Sequence, residues 1–335
     1  MRSSALAILP ALCVAAFAAA QSADLLVVEK KNNSVGFYAS TGQRVGGVQV
    51  GETPHEVALS RDGRYAYVSD NGVLWMDYDG PGGNTISIVD LQLRRRVGIL
   101  PLGKFHRPHG IGPDPRSSRA FVTAENPDRL VLVDLDARAV IRDFDNGGVD
   151  PHMVTFGPDG WGYVSNTASG TVGAVHATTG ELHLIEVGKG PQGSLLSRDG
   201  TKLWVTCRDE GRIDVIDTAS KSVIGSIPTG AGVNRIVATD DEDLLVYSLQ
   251  TGEAVGIADP HAMKELAQIP LGGAPLSISL SKDDRHAFAG VQDEDQVWIV
   301  SVRDRKVVQV IDTPPGMGPD PVVEIGTYRP SRARP

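Results

Sequence analysis

The chain has 335 residues and a net charge of −9, with 32 Lys and Arg against 41 Asp and Glu and no long block of one sign. An acidic surface of this kind argues against nucleic acid and anionic membrane as partners. Glycine is abundant at 38 residues and proline counts 21, while aromatics make up only 5%. With many Val-x-Val alternations, this composition predicts short strands and frequent turns.

Residues 1–20 read as a signal peptide. Met1 and Arg2 give a short positive start, Ala5 to Ala19 is uncharged and apolar, and Ala18-Ala19-Ala20 offers small residues for cleavage. Cleavage after Ala23 fits as well. Leu12 stands where a lipoprotein signal around Cys13 would need a small residue. The expected location is therefore periplasmic or secreted. No other stretch is long enough to span a bilayer, so membrane insertion is not expected. The mature chain keeps only Cys207, so its fold has no intramolecular disulfide and rests on packing alone.

From Pro54 onward one unit repeats: an apolar strand led by proline, a turn, and three further strands. The copies start at Pro54 (PHEVALS, YAYVSD, TISIVDL), Pro108, Pro151, Pro191, Val233 and Pro275. A step near 42 residues with four strands per unit is a propeller signature. The first step is longer because NGVLWMDYDGPGGN is inserted between the second and third strands of its unit. Two fragments remain. LLVVEKKNNSVGFYASTGQRVGGVQVG matches strands b to d of a unit, and Asp320-Pro321-Val322-Val323-Glu324-Ile325 matches a strand a. The expected fold is all-β, a seven-bladed β-propeller with four antiparallel strands per blade. N-terminal strands b–d would pair with a C-terminal strand a to close the ring. Residues 24–328 would form this single domain, and 329–335 a disordered tail. Asp90, Asp134 and Asp217, at the ends of IVD, LVD and VID, are read as caps for backbone N–H groups in the c–d turns.

The units YVSD…NTISIVDL, YVSN…GTVGAVHAT and WVTC…GRIDVIDT resemble the YVTN-repeat β-propeller family of exported proteins, within the wider group of lactonase-type propellers. The resemblance covers essentially the mature chain. It implies an exported accessory or scaffold protein; a monomer is expected. Glu125, after strand b of its unit, is similar to a glutamate of lactonase-type propellers, which implies a hydrolase or lyase as the alternative to a binding role.

In a propeller, strand a lines the central channel, and the d–a and b–c loops open on one face. The residue after each leading position then reads, around the ring, His55, His109, His152, Gln192, Asn234, Leu276 and Val322, polar on one arc only. Strand b ends on the same face and reads Glu29 or Lys30, Asp70, Glu125, Asn166, Arg208, Gln250 and Gln292. The insertion adds Trp75 and Tyr78 over the His55 side; aromatic groups on an exposed loop call for a ligand or a partner surface. Arg235, next to Asn234, points by alternation to a blade face or to the channel.

These residues define the candidate site. His55, His109 and His152 could share a divalent metal, or each imidazole could simply bond a neighbouring carbonyl. His109, His152 and Glu125 could do acid–base chemistry on a lactone. His55, Asp70, Trp75, Tyr78, Asn166, Gln192, Arg208, Asn234 and Arg235 could bind a small polar ligand or a partner protein. The sequence leaves the cofactor open. No GxSxG, HExxH, Walker loop or CxxC is present.

Overall fold

A computed structural model describes residues 22–75 and 80–327. The signal segment 1–20, Tyr78 and the tail 329–335 lie outside the described residues. Among those described, seven four-stranded antiparallel sheets form the seven-bladed propeller. Blades 1 to 6 are numbered in chain order from Pro54. The seventh is composite: Pro319–Glu324 serves as strand a beside Leu25–Glu29, Ser34–Tyr38 and Arg44–Gln49. Leu25 faces Glu324, Leu26 faces Val323 and Val27 faces Val322, so the two ends of the chain close the ring as the fragments predict. No helix among the described residues is long and apolar enough to cross a membrane.

The core is divided among the blade interfaces. Each sheet is apolar on both faces of its central strands, and each face packs against the next blade. One cluster joins blade 7 to blade 1 through Leu26, Val28, Val35, Phe37, Val68 and Val89. Another joins blades 1 and 2 through Ile86, Ile88, Val122 and Val131. A third joins blades 6 and 7 through Phe288, Ile299, Tyr38 and Val322. Burial of such side chains contributes roughly 1.5–3 kcal/mol each, which is how a ring with no disulfide holds together.

The c–d turn caps are present. Asp90 Oδ1 accepts from the backbone of Gln92 and Leu93, Asp134 from Asp136 and Ala137, and Asp217 from Ser220. In blade 3, His176 Nδ1 takes the same part, accepting from Thr179 N at 3.2 Å.

One local device positions the channel residues. In six blades the register between strands a and b shifts just after the leading residue, for example between Pro54 and Val57. This bulge releases two consecutive residues from strict alternation. A hydroxyl on strand b replaces the lost ladder acceptor. Ser69 Oγ accepts from Glu56 N at 2.9 Å, Thr123 from Gly110 N at 2.8 Å, Thr206 from Gly193 N at 2.8 Å and Ser248 from Arg235 N at 3.0 Å. Two of these hydroxyls donate onward to the next blade, Thr123 to His152 O at 2.6 Å and Thr206 to Asn234 O at 2.5 Å. Strand a of blades 2 and 4 lies so close to the next blade here that a Cβ on Gly110 would meet His152 O at 2.7 Å, and one on Gly193 would meet Asn234 O at 2.7 Å.

Candidate functional site

The bulge turns both His55 and Glu56 of blade 1, and both Asn234 and Arg235 of blade 5, toward the channel. Arg235 crosses it: Nε and Nη2 lie 3.2 and 2.5 Å from Glu56 Oε1. Both side chains are nearly buried. Burial pushes the Glu56 carboxyl up, and the Arg235 guanidinium opposes that shift. Glu56 is absent from the sequence-derived site because strict alternation sends it to the other face. A paired reading of Glu56 with Arg235, opposite charges at one repeat position, is the signal that finds it.

The three histidines gather above this ion pair. Ring centroids are 4.8 Å apart for His55 and His109 and 4.1 Å for His109 and His152. His55 Nε2 lies 2.7 Å from Val73 O. A carbonyl only accepts, so this nitrogen carries a proton. His109 Nδ1 sits 2.6 Å from Glu125 Oε1, and its Nε2 lies 3.4 Å from Arg235 Nη2. His152 Nδ1 lies 3.3 Å from Gln192 O and 3.4 Å from Arg235 Nη1. Burial holds all three imidazoles well below the usual histidine range. Lys30 adds to this for His55, Arg235 for His109, and His109 then Arg235 for His152.

These shifts set a pH dependence. A neutral buried imidazole binds fewer protons than its unfolded counterpart below about pH 6.5, so it makes stability fall as pH falls through that value. His152→Gln removes one such group without unpairing a carboxylate. Its stability relative to wild type is expected to improve by up to about 1.4 kcal/mol per pH unit below pH 6.5. Urea unfolding from pH 7.5 to 5 reads this, and parallel curves for the two proteins contradict it.

A cavity of about 390 Å³ opens above the ion pair. It is lined by Lys30, His55, Leu74, Trp75, His109, His152, Arg208, Asn234, Arg235, Gln250, Leu276 and Asp320. Of the residues named from sequence, the structure brings His55, His109, His152, Trp75, Arg208, Asn234 and Arg235 together. Trp75 is 47% exposed and forms an apolar wall with Leu74. Gln192 is buried and donates to Thr167 Oγ1 at 3.2 Å, outside the cavity lining. Glu125 also stays outside the lining. It sits behind His109 and pairs with Arg107 Nη2 at 3.0 Å; burial pushes its carboxyl up to about 7 against the pull of Arg107.

Three expectations need correction. Asp70 and Asn166 face away from the channel. Pro54 pairs with Asp70 and Pro151 with Asn166, whereas Pro108 pairs with Ala124, one residue before Glu125. Asp70 and Asn166 are therefore one step out of phase with Glu125, and one step in a strand reverses the face. Asp70 instead accepts from Gly51 N, Thr85 Oγ1 and Ser87 Oγ. Asn166 exchanges hydrogen bonds with Asn146.

The seventh ring position is Asp320, not Val322. Pro319 faces Glu29 as Pro54 faces Asp70. Asp320 is thus the counterpart of His55, and its Oδ2 holds Lys30 Nζ at 2.8 Å. Val322, 1% exposed, belongs to the core between blades 6 and 7.

The three imidazoles do not form a metal-binding set. No group of three His, Cys, Asp or Glu among the described residues is placed to hold a metal ion. The Arg235 cation lies where His109 would turn its lone pair to one.

The family model for the cytochrome D1 heme domain matches residues 199–330, less than half of the chain. Among solved structures, the chain is similar to a functionally unknown protein from Desulfotomaculum acetoxidans DSM 771, at TM-score 0.76 and 15% identity over 90% of this chain and 99% of that one. It is similar to Kuenenia stuttgartiensis hydrazine synthase at TM-score 0.67 and 18% identity, over 78% of this chain and 86% of that one. It is also similar to the dihydro-heme d1 dehydrogenase NirN in complex with DHE, at TM-score 0.65 and 15% identity over 88% of this chain and 64% of that one. No curated protein matches its sequence. At such identities the likeness carries the fold: the chain is a seven-bladed β-propeller.

Proposed function

We propose that the chain is an exported binding protein whose channel mouth takes a small organic anion. The observation that carries this reading is Arg235. Its guanidinium is fixed by Glu56 at the cavity floor, beside three neutral imidazoles. The Arg235 N–H groups that lie 3.4 Å from His109 Nε2 and His152 Nδ1 are its loosest contacts, and a carboxylate entering the cavity can take them in place of the imidazoles while Glu56 and Asn234 hold the cation in one orientation. Arg208 adds a second guanidinium at the wall, and Trp75 with Leu74 offers apolar surface for the ligand's body. A cavity of about 390 Å³ suits a small molecule. Export rests on the leader at residues 1–20, and the repeat units resemble exported YVTN-repeat propellers.

Calorimetric titration with small carboxylates, sulfonates and phosphate tests the reading. Carboxylates are expected to bind, with a change in Trp75 fluorescence, and Arg208→Ala to weaken them by about three- to tenfold, as loss of one ordinary hydrogen bond does. Absence of any heat or fluorescence change up to 20 mM (roughly 50-fold above the ~0.4 mM Kd of a weak ligand) refutes it.

The match to the heme-domain model raises a tetrapyrrole. Arg208, Asn234, Arg235, Gln250, Leu276 and Asp320 lie both in the cavity wall and in the matched stretch. An axial imidazole needs a free lone pair. Arg235 aims N–H groups at His109 Nε2 and His152 Nδ1, and Val73 O holds His55 Nε2. His55 and His109 each have one nitrogen engaged, and the lone pair that His55 keeps is on its buried Nδ1; no heme role is proposed.

The Glu125–His109 contact favours a second reading, a lactonase-like hydrolase in which His109 moves the proton and Glu125 orients it. A lactone panel under pH-stat tests this. Equal rates for wild type and Glu125→Ala remove the glutamate from any mechanism.

A further inference from the structure

Two residues of the cavity wall each carry a buried acceptor that lacks a donor. His55 donates from Nε2 to Val73 O, which leaves Nδ1 as a lone-pair acceptor, and this atom is buried with no hydrogen-bond partner. Asp320 gives Oδ2 to Lys30, and its Oδ1 is likewise buried without a partner. His55 and Asp320 are 4% and 2% exposed, and both line the cavity. They occupy the same position on strands a of neighbouring blades, and those strands pack against each other where the ring closes. Buried acceptors are nearly always paired, and an exception calls for a missing donor. Arg235 and Arg208 lie elsewhere around the same cavity, from blades 5 and 4.

We propose that the ligand carries a hydrogen-bond donor, an amine or a hydroxyl, beside its anionic group, and that this donor docks against His55 Nδ1 and Asp320 Oδ1 while the anion meets Arg235. The site thus selects amino or hydroxy acids over plain carboxylic acids. This rests on the anion reading above and adds to it a second, donor-specific subsite. The selectivity follows from asymmetry. A plain acid leaves both acceptors buried and unpaired, whereas a donor-bearing acid satisfies them at the same anion contact.

A matched series tests this: 3-phenylpropionate, 3-phenyllactate and phenylalanine share one body and one carboxylate and differ only at the α-position. Titration of the full mature chain at pH 7 is expected to show phenyllactate or phenylalanine binding about tenfold or more tighter than phenylpropionate. Which of the two is tighter tells hydroxyl from ammonium. In Asp320→Asn the advantage is expected to shrink, while all three acids tighten because Lys30 loses its partner. His55→Phe, which leaves Lys30–Asp320 intact, is a second variant should Asp320→Asn not fold. Equal affinities for all three acids in wild type overturn the donor subsite and leave the anion reading standing. No binding by any of them overturns both.

Discussion

Replacing Arg235 by glutamine is expected to cost about 3–5 kcal/mol of folding stability, because it leaves the buried Glu56 carboxylate without its partner. The double variant Glu56→Gln/Arg235→Gln should recover most of that loss, since two neutral amides need only hydrogen bonds. The single variant carries a pH signature. Burial already pushes the Glu56 carboxyl up, and loss of Arg235 removes the main influence holding it down. The native variant then holds a proton that the unfolded chain releases near pH 4.5, so its deficit grows as pH rises from 5 to 8. Urea unfolding of the three proteins at both pH values is the measurement. A small deficit unaffected by the double substitution contradicts a buried ion pair across the channel.

The second large effect lies at the ring closure. Val322→Asp is expected to abolish cooperative folding, because it places an unpaired carboxylate among Phe288, Ile299, Tyr38 and Val27. Such substitutions exceed about 4 kcal/mol. Val322→Ala at the same position should cost only about 2 kcal/mol, the scale of lost methyls plus a small cavity. If Val322 stood at the channel mouth, an aspartate there would meet Lys30 and water and be tolerated. Thermal unfolding by circular dichroism separates the two. A Val322→Asp protein that melts within a few degrees of wild type restores Val322 to the channel ring.

The seven-fold repeat and its closure by the chain ends were legible because they depend on period and on apolar pattern, which a single sequence displays. The histidine arc was legible for the same reason, as a position that recurs. What failed was phase. The segment Gly318-Pro319-Asp320-Pro321-Val322 offers two prolines, and reading the second as the leading one puts Val322 in the ring. A slip of two residues keeps every side chain on its own face of the sheet, so the apolar pattern cannot detect it. Asp70 and Asn166 failed by one residue, where strand b of blade 2 runs past its counterparts to Asn126. Glu56 was hidden because the bulge suspends alternation where it matters. The role of Arg235 depends on a partner 179 residues away, and no local pattern encodes that pairing.

The hydroxyl-capped bulge has a consequence for how such a ring diversifies. Ser69, Thr123, Thr206 and Ser248 hold the backbone of strand a from the neighbouring strand, with no help from the side chains they expose to the channel. At the first of the two released positions the six bulged blades carry His, Gln, Asn and Asp; at the second they carry Glu, Gly, Met, Arg and Pro. The scaffold therefore behaves as a socket with interchangeable pins. Specificity can be rewritten at the first position while the hydroxyls keep the geometry, and at the second only where the next blade leaves room, which excludes Gly110 and Gly193.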